Sequence, residues 1–214
     1  MRTLLALGAA LCLAAAALPA RADGPGDLQA RARSLQLADD PLHRGGLFVW
    51  IAMETASRKR AIEELRWTQV DLRARLIHLN PAGRRQTAKR RPTVPISTAL
   101  LKVLERAYEA RTGDLVLGNS SSIERPFATL CRAAHRATGN EKFLKATPHC
   151  LRHTWATLAA RAGVSLFEIA GVLGDDVATV QRVYAHHCPD YLRSAVDFRL
   201  YGAARNQPTS PLSG

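Results

Sequence analysis

Hydrophobic residues recur every three or four positions in several stretches of the chain, which is the spacing of one helix face. The first stretch, residues 47–56, predicts a helix, and a second short helix follows through Ile62 to Trp67. Further helices are predicted after a cap at Ser97, over 126–137, over 148–162, from the capping box of Ser165 and Glu168 to Gly174, from Asp176 toward Tyr184, and over 189–198.

The apolar period changes to about two in the middle of the chain, which indicates β-strands. Residues 76–79 and 93–96 show this pattern, and a basic run with Pro81 and Gly83 separates them. We therefore predict a β-hairpin with a long basic connection. The expected fold class is α+β, mostly α-helical, with one small antiparallel β-hairpin sheet.

The first 22 residues differ from the rest of the chain. They contain an arginine, then an apolar run, then a triplet with small residues at 20–22, and this is the layout of a secretory signal peptide. A chance upstream start would also produce this leader. Residues 23–44 are polar and predict a linker, and residues 203–214 predict a disordered tail.

Composition favours a folded, basic protein. Apolar residues make up 47% and charged residues 22% of the 214 positions, which excludes wholesale disorder. Lys and Arg number 30 against 18 Asp and Glu, a formal net charge of +12 that favours nucleic acid first and an acidic membrane surface second. The four cysteines lack C-x-x-C spacing, which excludes a zinc ribbon, and the chain has no glycine-rich phosphate loop.

One helix start carries candidate phosphate chemistry. His149 and Arg152 are three positions apart on the helix that Pro148 opens, so both project from one side near its amino terminus. Backbone N–H groups and the positive end of the helix dipole lie there too, which suits a phosphate oxygen. The pair alone is weak, since surface histidines and arginines are common on helices.

Four ordered segments, residues 55–67, 83–95, 147–158 and 173–186, make the pattern specific. Together they resemble the catalytic domain of the tyrosine recombinase (phage integrase) family, over residues 45–202. The resemblance implies cleavage of double-stranded DNA by a tyrosine, with a 3′-phosphotyrosyl link and a free 5′-hydroxyl, followed by rejoining to another strand. It also implies that no metal or small-molecule cofactor is needed, and it allows a homo-oligomer on DNA.

The resemblance assigns a role to individual residues. Arg58 and Arg152 would hold the phosphoryl oxygens, because a guanidinium binds two oxygens at once. Tyr184 would be the nucleophile, and His149 would accept its proton or share the charge. Tyr191 and Tyr201 are rival tyrosines without the nine-residue offset from the Leu-Gly turn. Within the hairpin, the expected general acid is Lys89, and the expected contacts to the DNA backbone are Arg84, Arg85, Arg90 and Arg91.

Two features depart from the family pattern. Asp175 stands where the family has a histidine or tryptophan that donates to the scissile phosphate, and an ionised carboxylate repels a phosphate. Family members that act alone carry a helical module before the catalytic domain, where this sequence has residues 23–44. We therefore expect a truncated or impaired integrase. The alternatives are a non-catalytic basic DNA-binding remnant and an exported protein, and we expect a cytoplasmic location because chromosomal DNA is there.

Overall fold

A computed structural model describes residues 43–87 and 89–188. The described part is mostly helical, as the sequence predicts, and no helix in it is both long and apolar enough to cross a membrane. Its helices are α1 (Arg44–Thr55), α2 (Lys59–Glu63), α3 (Thr98–Glu109), α4 (Glu124–Thr138), α5 (Pro148–Arg161), α6 (Leu166–Leu173) and α7 (Val177–Tyr184). The predicted leader, most of the linker, the helix over 189–198 and the tail lie outside the described residues.

The sheet is antiparallel and has three strands in the order β1 (Val70–Asp71), β2 (Leu76–His78) and β3 (Thr93–Pro95). Strands β2 and β3 form the predicted hairpin, with Ile77 opposite Val94. The predicted small antiparallel sheet is confirmed, and it has one strand beyond the hairpin, since β1 has only two residues and cannot show a period of two.

Most helix starts follow from local capping chemistry. The Ser97 hydroxyl accepts a hydrogen bond from the Leu100 N–H, and Ser165 forms the predicted capping box with Glu168. Asp176 caps α7, also as predicted. Helix α4 begins at Glu124, two residues earlier than expected, because a proline in the first turn costs no intrahelical hydrogen bond.

Helix α2 ends earlier than the sequence predicts. It stops at Glu63, and a separate 3₁₀ turn follows over Trp67–Gln69. The Trp67 N–H bonds the carbonyl of Asp114, and the Val116 N–H bonds the carbonyl of Leu65. These bonds to a distant segment take the place of the helical bonds that would have continued α2.

Two hydrophobic clusters hold the fold together. The larger one surrounds α1, whose side chains are buried on nearly all sides against α3, α4 and α5. The smaller cluster joins the carboxyl end of α1 to α5, α6 and α7, and its buried members are Ala56, Ala156, Ala160, Ile169, Ala170, Leu173, Val180 and Tyr184. Because several members are alanines, the backbones of these four helices approach closely, and polar groups at their ends meet in one place.

Candidate active site

Arg152 is the most deeply buried charged residue of the site. Only 4% of it is exposed, and it lies in the first turns of α5. Its Nη1 donates to the carbonyl of Ala56 at 2.8 Å, and its Nη2 donates to the carbonyl of Leu173 at 2.8 Å. The guanidinium therefore links the end of α1 to the end of α6, and these bonds hold its orientation.

Arg58 reaches the same place from the loop between α1 and α2. The loop turns at Ala56, whose φ of 51° lies in the left-handed region that non-glycine residues rarely adopt. This turn directs the Ala56 carbonyl to Arg152 and leaves Arg58 free to extend across the site. The Nη1 of Arg58 donates to the carbonyl of Arg90 at 2.9 Å, which ties the loop to the β-hairpin.

Asp175 bridges the two arginines. One carboxylate oxygen accepts a hydrogen bond from Arg58 Nη2, and the other accepts from Arg152 Nη2 at 2.6 Å. The carboxylate thus contacts both arginines, and its neighbour Asp176 caps α7.

Gly174 makes this arrangement possible. It ends α6 with a φ of 63°, and a Cβ at this position would lie 2.9 Å from the carbonyl oxygen of Arg90 and 2.9 Å from Pro92 Cδ. The residue must therefore be glycine for the hairpin to pack against the end of α6. The Leu-Gly pair of the sequence pattern thus positions both the hairpin and Asp175.

A cavity of about 330 Å³ opens between the hairpin loop (residues 79–92) and the arginine pair. Lys89, the expected general acid, is exposed and lines it. The basic residues around the cavity are Arg58, Arg60, Arg84, Lys89, Arg90, Arg91 and Arg152. Such a lining suits an anionic ligand the size of a phosphodiester.

The four hairpin arginines divide into two kinds. Arg85 and Arg90 are exposed. Arg84 donates to the side chain of Asn80 at 2.9 Å, and Arg91 forms an ion pair with Glu64 at 2.7 Å with only 10% of its side chain exposed. The guanidinium groups of Arg84 and Arg91 therefore have partners within the protein, whereas Arg85 and Arg90 are more exposed.

Tyr184 is the last residue of α7 and is buried in the smaller cluster. Its hydroxyl lies 2.6 Å from Nδ1 of His153, one turn along α5 from His149. The contact that the sequence assigned to His149 is thus made by His153. His149 instead packs edge-on against the His153 ring, with 4.6 Å between the ring centroids.

Three pKa shifts describe the electrostatics of the site. Burial raises the pKa of Tyr184, with Arg152 opposing this, so the phenol is protonated at rest. Burial lowers the pKa of Arg152, and Arg58 acts in the same direction while Asp175 opposes both. Partial burial and the nearby His153, Arg152 and Arg58 lower the pKa of His149. An additional negative group would therefore be stabilised beside the arginines.

Sequence reasoning missed His153. It lies four residues after His149 and one after Arg152, so helical geometry places all three near one another on α5. That spacing could have marked it as a candidate, but its contact with Tyr184 joins residues 31 positions apart and depends on how α5 packs against α7. Among the described residues, no group of three or more His, Cys, Asp and Glu side chains is placed to hold a metal ion.

The fold and these residues define a mostly helical catalytic-domain architecture with paired arginines and a tyrosine at a helix end. The sequence model of the phage integrase family matches residues 35–190, and the chain belongs to this family. No curated protein matches the sequence significantly.

Solved structures of tyrosine recombinases share the fold. The Tn1549 transposon integrase, solved with a circular intermediate DNA, is 15% identical with a TM-score of 0.61 over 85% of this chain and 66% of that one. XerA recombinase is 24% identical with a TM-score of 0.57 over 84% and 64% of the two chains. The catalytic domain of bacteriophage HP1 integrase is 25% identical with a TM-score of 0.50 over 76% and 91%. This chain thus spans slightly less than two thirds of the Tn1549 integrase chain.

Proposed function

We propose that this protein cleaves and rejoins duplex DNA through Tyr184. The observation that carries the proposal is the convergence of Arg58 and Arg152 on one carboxylate. A carboxylate and a phosphodiester both offer two oxygens to guanidinium groups, so Asp175 marks a place suited to the non-bridging oxygens of a phosphate. The chain belongs to the phage integrase family, whose cleavage of DNA by a tyrosine would use such a phosphate-binding position.

The proposed reaction begins with attack of the Tyr184 phenolic oxygen on phosphorus. The new bond joins that oxygen to phosphorus, and the bond from phosphorus to the 5′-oxygen breaks. Arg58 and Arg152 stabilise the charge that spreads over the non-bridging oxygens. In this proposal Lys89, which lines the cavity, protonates the leaving 5′-oxygen. Attack of a 5′-hydroxyl on the phosphotyrosyl link then rejoins the strand.

Asp175 makes the proposed enzyme an impaired one. A phosphate can reach the two guanidiniums only when the carboxylate moves aside, and an ionised carboxylate beside the phosphate adds repulsion. Both effects raise the barrier to cleavage. We infer that the wild-type chain forms its covalent intermediate slowly.

The proposed partner is double-stranded DNA. Arg85, Lys89 and Arg90 are exposed on the hairpin loop and can neutralise phosphates on either side of the site. The Tn1549 integrase, which shares the fold, was solved in complex with DNA. Assembly of several copies on one DNA site is part of the same proposal, because exchange of strands requires more than one nucleophile.

A suicide substrate tests the cleavage reaction. Labelled duplex DNA with a nick just beyond the scissile phosphate releases, on cleavage, the short fragment that carries the new 5′-hydroxyl. The covalent protein–DNA adduct therefore accumulates and is seen on a denaturing gel. Tyr184→Phe should abolish the adduct and leave binding unchanged, since only the attacking oxygen is lost. Tyr191→Phe and Tyr201→Phe should still form it. An adduct that persists in Tyr184→Phe contradicts the choice of nucleophile.

The occupied arginine pair favours a second candidate function, a DNA-binding module without turnover. The same gel separates the two functions when it is paired with a mobility-shift assay. Binding without an adduct, both in the wild type and in Asp175→His, supports the non-catalytic module.

We propose a cytoplasmic location, because the substrate of this chemistry is chromosomal DNA. The signal-peptide-like leader, residues 1–22, predicts export instead. Cell fractionation with a carboxyl-terminal tag separates the two. Recovery of a shortened protein outside the membrane would contradict the cytoplasmic location and favour an exported protein.

A further inference from the structure

The contact between α5 and α7 assigns a base to the reaction. We propose that His153, rather than His149, accepts the proton of Tyr184 as the phenol attacks phosphorus. This assignment rests on the proposed function. The Tyr184 hydroxyl lies 2.6 Å from His153 Nδ1, within the distance over which a proton passes directly. His149 contacts the His153 ring edge-on and lies one helical turn earlier on α5.

The proposal requires the Tyr184 hydroxyl to donate this hydrogen bond. The buried phenol keeps its proton, because burial raises the pKa of Tyr184. The hydroxyl can therefore donate to His153 Nδ1, which accepts when the ring carries its hydrogen on Nε2. This is the form of histidine that can take up a proton.

The step balances with the residues already described. The oxygen of Tyr184 forms its bond to phosphorus, and its proton moves to His153 Nδ1. The bond from phosphorus to the 5′-oxygen breaks, and the 5′-oxygen receives a proton from Lys89 or from water. His153 is then an imidazolium, which returns its proton to the tyrosine oxygen when a 5′-hydroxyl attacks in the reverse direction.

The surroundings of His153 suit this exchange. Its partner Tyr184 is buried, whereas His153 itself is an exposed residue, so the far side of its ring can exchange protons with water. Nearby, His149 has its pKa lowered by partial burial and by His153, Arg152 and Arg58. A neutral His149 adds no second positive charge against the ring that must become cationic.

Two substitutions at one position separate positioning from proton transfer. In His153→Asn the amide oxygen can accept the hydrogen bond from Tyr184 and cannot take its proton, whereas His153→Ala loses both. Adduct formation on the nicked substrate should fall by about 10²–10⁴-fold in both variants, the range of general base catalysis. Because Ala leaves a space beside an exposed position, free imidazole should restore the rate of His153→Ala in proportion to its concentration.

Two further histidine variants complete the set. His149→Ala should lose less activity than His153→Ala, and imidazole should not restore it. His186→Ala changes an exposed histidine after the nucleophile and should match the wild type. A purely structural role for His153 would give a loss in His153→Ala that imidazole leaves unchanged, and this result would overturn the proposal.

The proposal and the proposed function fail in different ways. An adduct that forms at the wild-type rate in His153→Ala overturns the assigned base and leaves the DNA-cleaving function standing. Absence of an adduct from the wild type and from Asp175→Asn overturns both. Independently of activity, the ¹⁵N chemical shift of His153 Nδ1 should change in Tyr184→Phe more than that of His149. Equal or absent changes would show that the hydrogen bond is not formed and would overturn the proposal.

Discussion

The two halves of the candidate site differ in what their side chains already contact. At one end, Asp175 bridges Arg58 and Arg152, the pair that would hold a phosphate in the proposed reaction. At the other end, the Tyr184 hydroxyl lies 2.6 Å from Nδ1 of His153, which is an exposed residue. In the proposed function, the phosphate-binding half is therefore blocked by a residue of the chain, whereas the tyrosine already contacts the proposed base.

Within the blocked half, the largest loss should come from Arg152. Arg152→Lys removes the fork that reaches the carbonyls of Ala56 and Leu173 and the carboxylate of Asp175. We expect adduct formation to fall by about 10²–10³-fold, the cost of one preorganised donor group. Arg161→Lys, at an exposed position of the same helix, should have no effect. Wild-type adduct formation in Arg152→Lys would show that Arg152 acts only through its positive charge.

Opening the blocked half should raise activity. Asp175→Asn and Asp175→His both remove the charge that holds Arg58 and Arg152, and both supply an N–H donor for a phosphate oxygen. Asp175→His also removes the oxygens that accept hydrogen bonds from the arginines. We expect the adduct yield to rise by about 10-fold to 10²-fold, with His above Asn, as one regained donor group predicts. Asp176→Asn is the matched control, because it changes the neighbouring carboxylate and keeps a good cap for α7. Unchanged yields in both Asp175 variants would contradict the inhibitory role of this contact.

The same substitution should weaken the fold. Asp175→Asn leaves the buried Arg152 guanidinium with uncharged partners only. We expect the free energy of unfolding to fall by about 1–3 kcal/mol. This loss is smaller than that for a fully buried ion pair, because Asp175 is partly exposed. Inorganic phosphate should return part of this loss by binding the released arginines. Chemical denaturation with and without phosphate measures both effects. If inorganic phosphate stabilised the wild type as much as it stabilises Asp175→Asn, the carboxylate would not occupy the phosphate-binding position.

The smallest effect concerns the approach of DNA to either half. Replacing Arg85 and Arg90 by Ala should reduce the slope of log affinity against log salt by about 0.9 for each phosphate that is no longer neutralised. Arg91→Ala should lower the free energy of unfolding and change this slope little, because its guanidinium is paired with Glu64. A larger slope change in Arg91→Ala than in Arg85→Ala would reverse this division of the hairpin.

Local chemistry made much of the fold predictable. The capping residues Ser97, Ser165 and Asp176 act on N–H groups three positions away, so their sequence neighbours decide the outcome. The hairpin is also visible as two strands with a period of two. Strand β1 was not predictable, because two residues cannot show a period of two. The early end of α2 was not predictable either, because hydrogen bonds to a distant segment determine it.

The site was predictable as a set of residues and not as a set of contacts. The family pattern brought Arg58, Arg152 and Tyr184 to attention, and the structure places the two arginines on one carboxylate. The sequence could not show that Asp175 turns toward these arginines, since the turn depends on Gly174 packing under the hairpin. The partner of Tyr184 was likewise missed, because the rotation of α5 against α7 selects His153 over His149.

The Asp175 carboxylate competes with a phosphate for Arg58 and Arg152, and it is covalently attached to the same chain as they are. A tethered carboxylate acts at an effective concentration set by its attachment, in the millimolar range or above for short tethers. Free anions at lower concentrations cannot displace it, and each 1.4 kcal/mol of the bridge weakens a phosphate's apparent affinity tenfold. A phosphate on DNA that the hairpin already holds is tethered as well, and its own effective concentration can match that of the carboxylate. The arginine pair would then respond to docked DNA and ignore phosphates in solution.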